Sequence, residues 1–369
     1  MLRNILLTGA ATALVASAVP AQAQDLTAPD YPETRSGDVV DEQFGEQVAD
    51  PYRWLENDVR VDSEVADWVA SQNDVTDAFL ARLPGREALK ARITQLTDYE
   101  RFGLPTSMGG HYFYTRNNGL QNQSVLYVRD GLDGEPRVLI DPNEWADDGA
   151  TALADYAITE DGSKLLYAIQ DGGSDWRTVK VMDVATGEVM EDTIEWVKFS
   201  NLDWAKDGSG FYYSRFPATG EGETFQALNT NQQVYFHRLG TDQSEDRLIY
   251  ATDDRPELNH TAQVSDDGRY VIVTSSSGTD DRYEVTLIDR ENPDADPMTL
   301  VPGFENNYSY IGNLGSEFFF VTNDDAPLKR VVKTDIAASD PMWQTVIPES
   351  EQTLDGVSLV GAKLIAQYL

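Results

Sequence analysis

Glu160-Asp161-Gly162 leads into Leu165-Leu166-Tyr167, Lys206-Asp207-Gly208 into Phe211-Tyr212-Tyr213, and Asp266-Asp267-Gly268 into Tyr270-Val271-Ile272-Val273. Each copy is a tight turn followed by a run of large apolar residues. Asp-Gly suits such a turn because glycine accepts positive φ and the aspartate side chain bonds its own backbone two residues on. Looser copies begin at Gly109-Gly110 before Tyr112-Phe113-Tyr114 and at Gly315 before Phe318-Phe319-Phe320.

Working outward, each copy is followed by a second strand: Val125 to Arg129, Val179 to Asp183, Val234 to Leu239, Val285 to Asp289 and Val331 to Asp335. A third follows most of them, as in Val138-Leu139-Ile140, Leu248-Ile249-Tyr250 and Thr345-Val346-Ile347, and runs such as Tyr156-Ala157-Ile158 and Ala262-Gln263-Val264 supply a fourth ahead of the turn. Four strands per repeat of roughly 45 to 60 residues is the pattern of β-propeller blades. The expected fold is mainly β, a partial propeller with about five complete blades. A sixth starts at Leu364-Ile365-Ala366, and a strand edge left open at Tyr368-Leu369 predicts that further sequence or another chain closes the ring.

Ahead of the repeats the texture is helical. Ser63 is a plausible N-cap with Glu64 and Asp67 in the first turn, Trp68, Val75 and Phe79 fall on one face, and Glu87 to Leu96 offers a second helix after Pro84-Gly85. Met1-Leu2-Arg3-Asn4, the apolar stretch Ile5 to Val19, and Ala21-Gln22-Ala23 have the layout of a secretory signal. The expected division is a signal peptide over 1–23, a helical segment over 24–100 and the propeller over 101–369, in a periplasmic or secreted protein.

Composition narrows the partners. The 369 residues carry a formal net charge of −35 without a single cysteine, which argues against nucleic acid, whose phosphates need clustered lysine and arginine. It also provides no disulfide framework. Beyond the first two dozen residues no apolar run is long enough for a membrane span, so no membrane partner is expected.

Four stretches, Asp50-Pro51-Tyr52-Arg53-Trp54-Leu55-Glu56, Gly173-Ser174-Asp175-Trp176, Val197-Lys198-Phe199-Ser200 and Gly240-Thr241-Asp242-Gln243-Ser244-Glu245-Asp246, resemble the prolyl oligopeptidase family in wording and order. The resemblance covers the chain from about Tyr31 to its end. It implies a serine endopeptidase that cleaves short peptides after proline, with an α/β-hydrolase domain capped by a seven-bladed propeller that gates substrate access. The helical segment would then pack on the hydrolase domain. The nucleophile, acid and histidine of such enzymes lie C-terminal to the propeller, so the resemblance places no catalytic residue in this chain and predicts that the 369 residues alone are inactive. Two readings stand beside it: a non-catalytic periplasmic propeller that binds a partner, and a peptidase similar to oligopeptidase B.

The residues agree with an absent nucleophile. No G-x-S-x-G elbow occurs; the nearest stretch, Gly172-Gly173-Ser174-Asp175-Trp176, lacks the closing glycine. His111, His237 and His260 lie within or beside blade strands, where surface or packing roles are expected. Neither the EF-hand spacing nor a phosphate-binding glycine loop is present, so no metal or cofactor is expected. One substrate contact carries over from the resemblance: Phe199, the aromatic of the V-K-F-S stretch, would face the cavity and help hold a residue upstream of the substrate proline. Nearby the chain departs from the family, with Glu257-Leu258-Asn259 in place of a K-W-M run and Ser275-Ser276-Ser277-Gly278 where some members carry an arginine.

Overall fold

The computed structural model describes residues 28–220 and 223–369. The expected signal sequence lies outside the described residues. The chain divides after Gln95 into two compact units.

The first unit holds a hairpin, β1 (Val40–Gln43) with β2 (Glu46–Ala49), the helix α1 (Ser63–Ala81) and all but the last two residues of α2 (Arg86–Thr97). The cap of α1 is Asp62, not Ser63: its carboxylate accepts from the Glu64 and Val65 amides, and Ser63 is already helical. A charged cap also suits the positive end of the helix. Trp68, Val75 and Phe79 are all half-buried, as one face requires.

The second unit is a succession of antiparallel blades. In the first, the short strands β3 (Arg101–Phe102) and β4 (Thr106–Met108) both pair with β5 (His111–Asn117), which pairs with β6 (Val125–Asp130), then β7 (Arg137–Ile140). The second runs β8 (Ala152–Ile158), β9 (Lys164–Gln170), β10 (Arg177–Asp183) and β11 (Val189–Val197). The third is β12 (Asp203–Trp204), β13 (Gly210–Arg215), β14 (Gln233–Arg238) and β15 (Arg247–Tyr250), and a single pairing, Val197 opposite Arg215, makes these two blades one continuous sheet. The fourth is β16 (Leu258–Val264), β17 (Tyr270–Ser277), β18 (Tyr283–Asp289) and β19 (Met298–Val301). The fifth is β20 (Tyr308–Leu314), β21 (Glu317–Thr322), β22 (Arg330–Asp335) and β23 (Gln344–Ile347); the pair β24 (Leu354–Val360) and β25 (Lys363–Tyr368) follows.

The apolar runs after the three Asp-Gly turns are continuous because both faces of the second, third and fourth blades are covered, and side chains alternate between them. Leu165 and Tyr167 pack with Phe113, Leu126 and Val128 of the first blade, while Leu166 and Ala168 join Phe211 and Tyr213 of the third. Tyr212, one residue out of phase, joins Val271 and Val273 of the fourth, and Ile272 joins Phe318 and Phe320 of the fifth. A one-residue slip would exchange these layers. Glycine is required at Gly109, which has φ +57° and where a Cβ would stand 1.8 Å from the Asp161 carbonyl oxygen of the neighbouring blade's turn.

Polar side chains stitch neighbouring inner strands where no ladder exists. The Asn201 amide donates to the Ala262 carbonyl at 2.6 Å and accepts from its N–H at 3.0 Å, and Asp203 accepts from the Val264 N–H at 2.8 Å. Ala262 is fully buried, so Asn201→Ala strands a backbone donor and acceptor away from water. The substitution is expected to destabilise the propeller by about 2–3 kcal/mol and to speed hydrogen exchange at the Ala262 amide selectively.

Candidate functional site

The segment from Trp196 to Asn201, the end of β11 and the loop that leads on to β12, departs from what its residue types favour. Trp196 has φ +62° and Phe199 φ +53°, a region where a bulky side chain costs on the order of 1–3 kcal/mol each. Surrounding contacts over-determine it. Phe216 N–H donates to the Trp196 carbonyl at 3.1 Å, Gln232 Nε2 donates to the Lys198 carbonyl at 2.7 Å and reaches that of Phe199 at 3.4 Å, and Arg177 donates to the Ser200 carbonyl at 3.2 Å. Ser200 Oγ accepts from the Ser214 amide at 2.8 Å and donates to the Asn201 carbonyl at 2.6 Å.

Held this way, Phe199 is 43% exposed and meets buried Phe216 edge-on at 6.5 Å between ring centres. Trp176, from the turn between β9 and β10, meets Trp196 at 5.7 Å and Phe216 at 6.1 Å, both near-perpendicular. Its indole N–H donates to the Thr224 carbonyl at 2.9 Å. The Lys198 ammonium stands over the Trp176 ring at 5.0 Å and the Phe199 ring at 5.1 Å. Gly173-Ser174-Asp175-Trp176 and Val197-Lys198-Phe199-Ser200 therefore converge on one aromatic cluster. Perpendicular rings of this kind attract through edge and face charge, and a cation is stabilised over the faces.

Gln232 joins this loop to the fourth blade. It is buried, and its amide oxygen accepts from the His260 N–H. The next residue back, Asn259, lies directly across the ladder from Ser276, and its amide oxygen is buried without a partner. Asn259 and Ser276, which lie in the two stretches where the resemblance expects other residues, are thus cross-strand neighbours, and Asn259 adjoins His260, whose amide Gln232 holds. Sequence reading singled out Phe199, Asn259 and Ser276 separately; Gln232 and Phe216 carried no motif signal.

His260 is fully buried, with Nδ1 2.9 Å from Ser275 Oγ and Nε2 3.1 Å from Thr252 Oγ1. Burial, aided by Arg255, depresses its pKa from 6.5 to about 4. The unfolded chain therefore binds a proton between pH 6.5 and 4 that the native state refuses, so stability falls as pH drops through that window. The expected slope is up to about 1.4 kcal/mol per pH unit, totalling about 3 kcal/mol. Urea midpoints against pH should lose that component in His260→Gln.

The Gly240 to Asp246 stretch has a structural task. Asp242 and Glu245 form a capping box around a short 3-10 turn, and the Gln243 amide pairs with both backbone groups of Glu195, accepting at 3.1 Å and donating at 3.0 Å. Asp246 then reaches the fully buried His237, its Oδ1 2.7 Å from Nδ1, while Asp192 of β11 lies 3.0 Å from Nε2. Tyr213 donates to Asp246 at 2.5 Å and the Gly240 amide to Asp192 at 2.6 Å. Burial opposes charge on the imidazole, yet Asp246 and Asp192 outweigh it and raise the pKa above 6.5. Ser174, the serine nearest to an elbow pattern, sits in a turn where its Oγ accepts from the Trp176 amide at 3.1 Å. Among the described residues no group of three or more histidine and acidic side chains is arranged to hold a metal.

Successive antiparallel blades packed face to face define a β-propeller domain. Residues 31–369 match the family model described as prolyl oligopeptidase, N-terminal beta-propeller domain. The chain belongs to the prolyl oligopeptidase family. It is 35% identical over 364 residues to the prolyl endopeptidase of Elizabethkingia meningoseptica, covering 98% of this chain and 50% of that protein. With the dual function macrocyclase-peptidase of Galerina marginata it shares 30% over 351 residues, 87% of this chain and 48% of the relative. Among solved structures, one from a structural and mechanistic study of two prolyl endopeptidases is similar at 44% identity and TM-score 0.68, covering 92% of this chain and 49% of that one. Prolyl oligopeptidase B from Galerina marginata, bound to a 25mer macrocyclization substrate, is similar at 28% identity and TM-score 0.79, covering 92% and 51%. The chain spans about half the length of the curated relatives it matches.

Proposed function

We propose that this chain is the N-terminal part of a secreted or periplasmic serine endopeptidase that cleaves short peptides after proline, its propeller gating access and its Phe199 contacting the residue upstream of the proline. The observation that carries the reading is the Phe199 loop: a bulky aromatic kept partly exposed at positive φ by a set of partly buried hydrogen bonds to the loop carbonyls. Strain maintained at such expense marks functional surfaces. The family membership and the relatives named as prolyl endopeptidases support the substrate class. Acyl transfer would be the work of a hydrolase domain outside these 369 residues, with a histidine-activated serine and an oxyanion hole. The blades contribute selection by geometry, admitting flexible peptides and excluding folded proteins.

The purified full-length protein should release chromophore from a blocked Gly-Pro substrate and lose that activity to a serine-directed reagent, while the 369 residues alone should not turn it over. Cell fractionation should place the protein outside the cytoplasm. Turnover by the short chain would overturn the assignment of the chemistry to another domain, and cytoplasmic retention would overturn the location.

A further inference from the structure

We propose that Lys198 selects for a negatively charged residue upstream of the substrate proline; this rests on the reading that Phe199 borders the upstream part of the peptide. Lys198 lies in the same strained loop as Phe199, and its carbonyl is fixed by Gln232 at 2.7 Å. Its ammonium is stationed 5.0 Å from the Trp176 ring centre and 5.1 Å from that of Phe199. Two ring faces orient the cation but accept no conventional hydrogen bond, so its N–H donors stay available to an incoming oxygen.

The chain is strongly acidic, at −35 net, yet among the described residues Lys198 has no ion-pair partner. Among the described residues the lysine ion pairs are those of Lys206 with Glu160 and Lys333 with Glu317. Partial burial beside apolar rings also weakens solvent screening of the charge. The group this arrangement recognises is a side-chain carboxylate on the same residue that Phe199 borders, the one upstream of glycyl-proline, since the ammonium stands beside that ring. The same charge opposes a free α-ammonium or a lysine side chain there. A protein of this net charge repels anionic peptides at long range, so Lys198 acts as a local inversion of the field.

In the full-length protein, blocked Glu-Gly-Pro, Gln-Gly-Pro and Lys-Gly-Pro chromogenic peptides should follow that order in kcat/KM. The expected Glu-to-Gln ratio is about fivefold, the size of a partly exposed ion pair, shrinking in roughly 1 M salt. Lys198→Met should bring the ratio to near one, and Lys198→Arg should restore it. A wild-type ratio of one, or a ratio unchanged in Lys198→Met, would overturn the inference while leaving prolyl cleavage standing. Failure to cleave any of the three after proline would sink the functional reading and this inference with it.

Discussion

Replacing His237 with alanine is expected to destabilise the propeller by about 3–5 kcal/mol, the cost of leaving buried charge without its partner. A neutral imidazole has one N–H and can serve one carboxylate. His237 touches two, at 2.7 and 3.0 Å, and its side chain and both aspartates are almost wholly buried. The arrangement therefore calls for the imidazolium, in keeping with the raised pKa. Asp192 belongs to β11 of the second blade and Asp246 to the segment leading into β15 of the third, so the cation clasps the seam that the single Val197–Arg215 pairing begins.

The pH dependence follows from the direction of the shift. Because the native state holds its proton more tightly than the unfolded chain, the contribution is complete below about pH 6.5 and is lost as pH rises through the raised pKa. This is opposite in sign to the His260 effect, so the two histidines bound a stability plateau from either side. Denaturation midpoints of wild type and His237→Ala should converge at alkaline pH. Combining His237→Ala with Asp192→Asn should recover part of the loss, since the double variant buries one charge fewer.

Phe199→Ala in the full-length protein is expected to lower kcat/KM about tenfold for substrates with a large apolar residue upstream of glycyl-proline, and much less for those with glycine there. The figure corresponds to about 1.4 kcal/mol, part of the apolar contact a phenyl ring provides. Phe199→Gly should lose the same selectivity yet unfold at higher denaturant concentration than Phe199→Ala, because glycine accepts φ +53° without strain. A purely packing role for the ring predicts the reverse: lower stability in both variants and no dependence on the upstream residue.

The repeat was legible because its signals are local. Asp161-Gly162, Asp207-Gly208 and Asp267-Gly268 announce tight turns, and the alternate packing of Leu165, Leu166 and Tyr167 leaves a continuous apolar run any reader can see. The site was legible only in pieces. Trp176 and Phe199 were flagged within separate motifs, but their convergence is a tertiary fact. Gln232 reaches the loop across 34 residues, His237 reaches Asp192 across 45, and Asn201 reaches Ala262 across 61; no periodicity encodes such pairings. Positive φ at Trp196 and Phe199 runs against residue preference altogether. The cap of α1 was misplaced by one residue because Asp62 and Ser63 are both good cap residues and only the backbone turn chooses between them.

The most direct test of the account is cut-site mapping by mass spectrometry, with the full-length protein and a mixed-length peptide library. Cleavage on the C-terminal side of proline, confined to short peptides and sparing folded proteins of the same composition, is the predicted result. Cleavage after lysine or arginine, or no cleavage from a folded full-length protein, would contradict it.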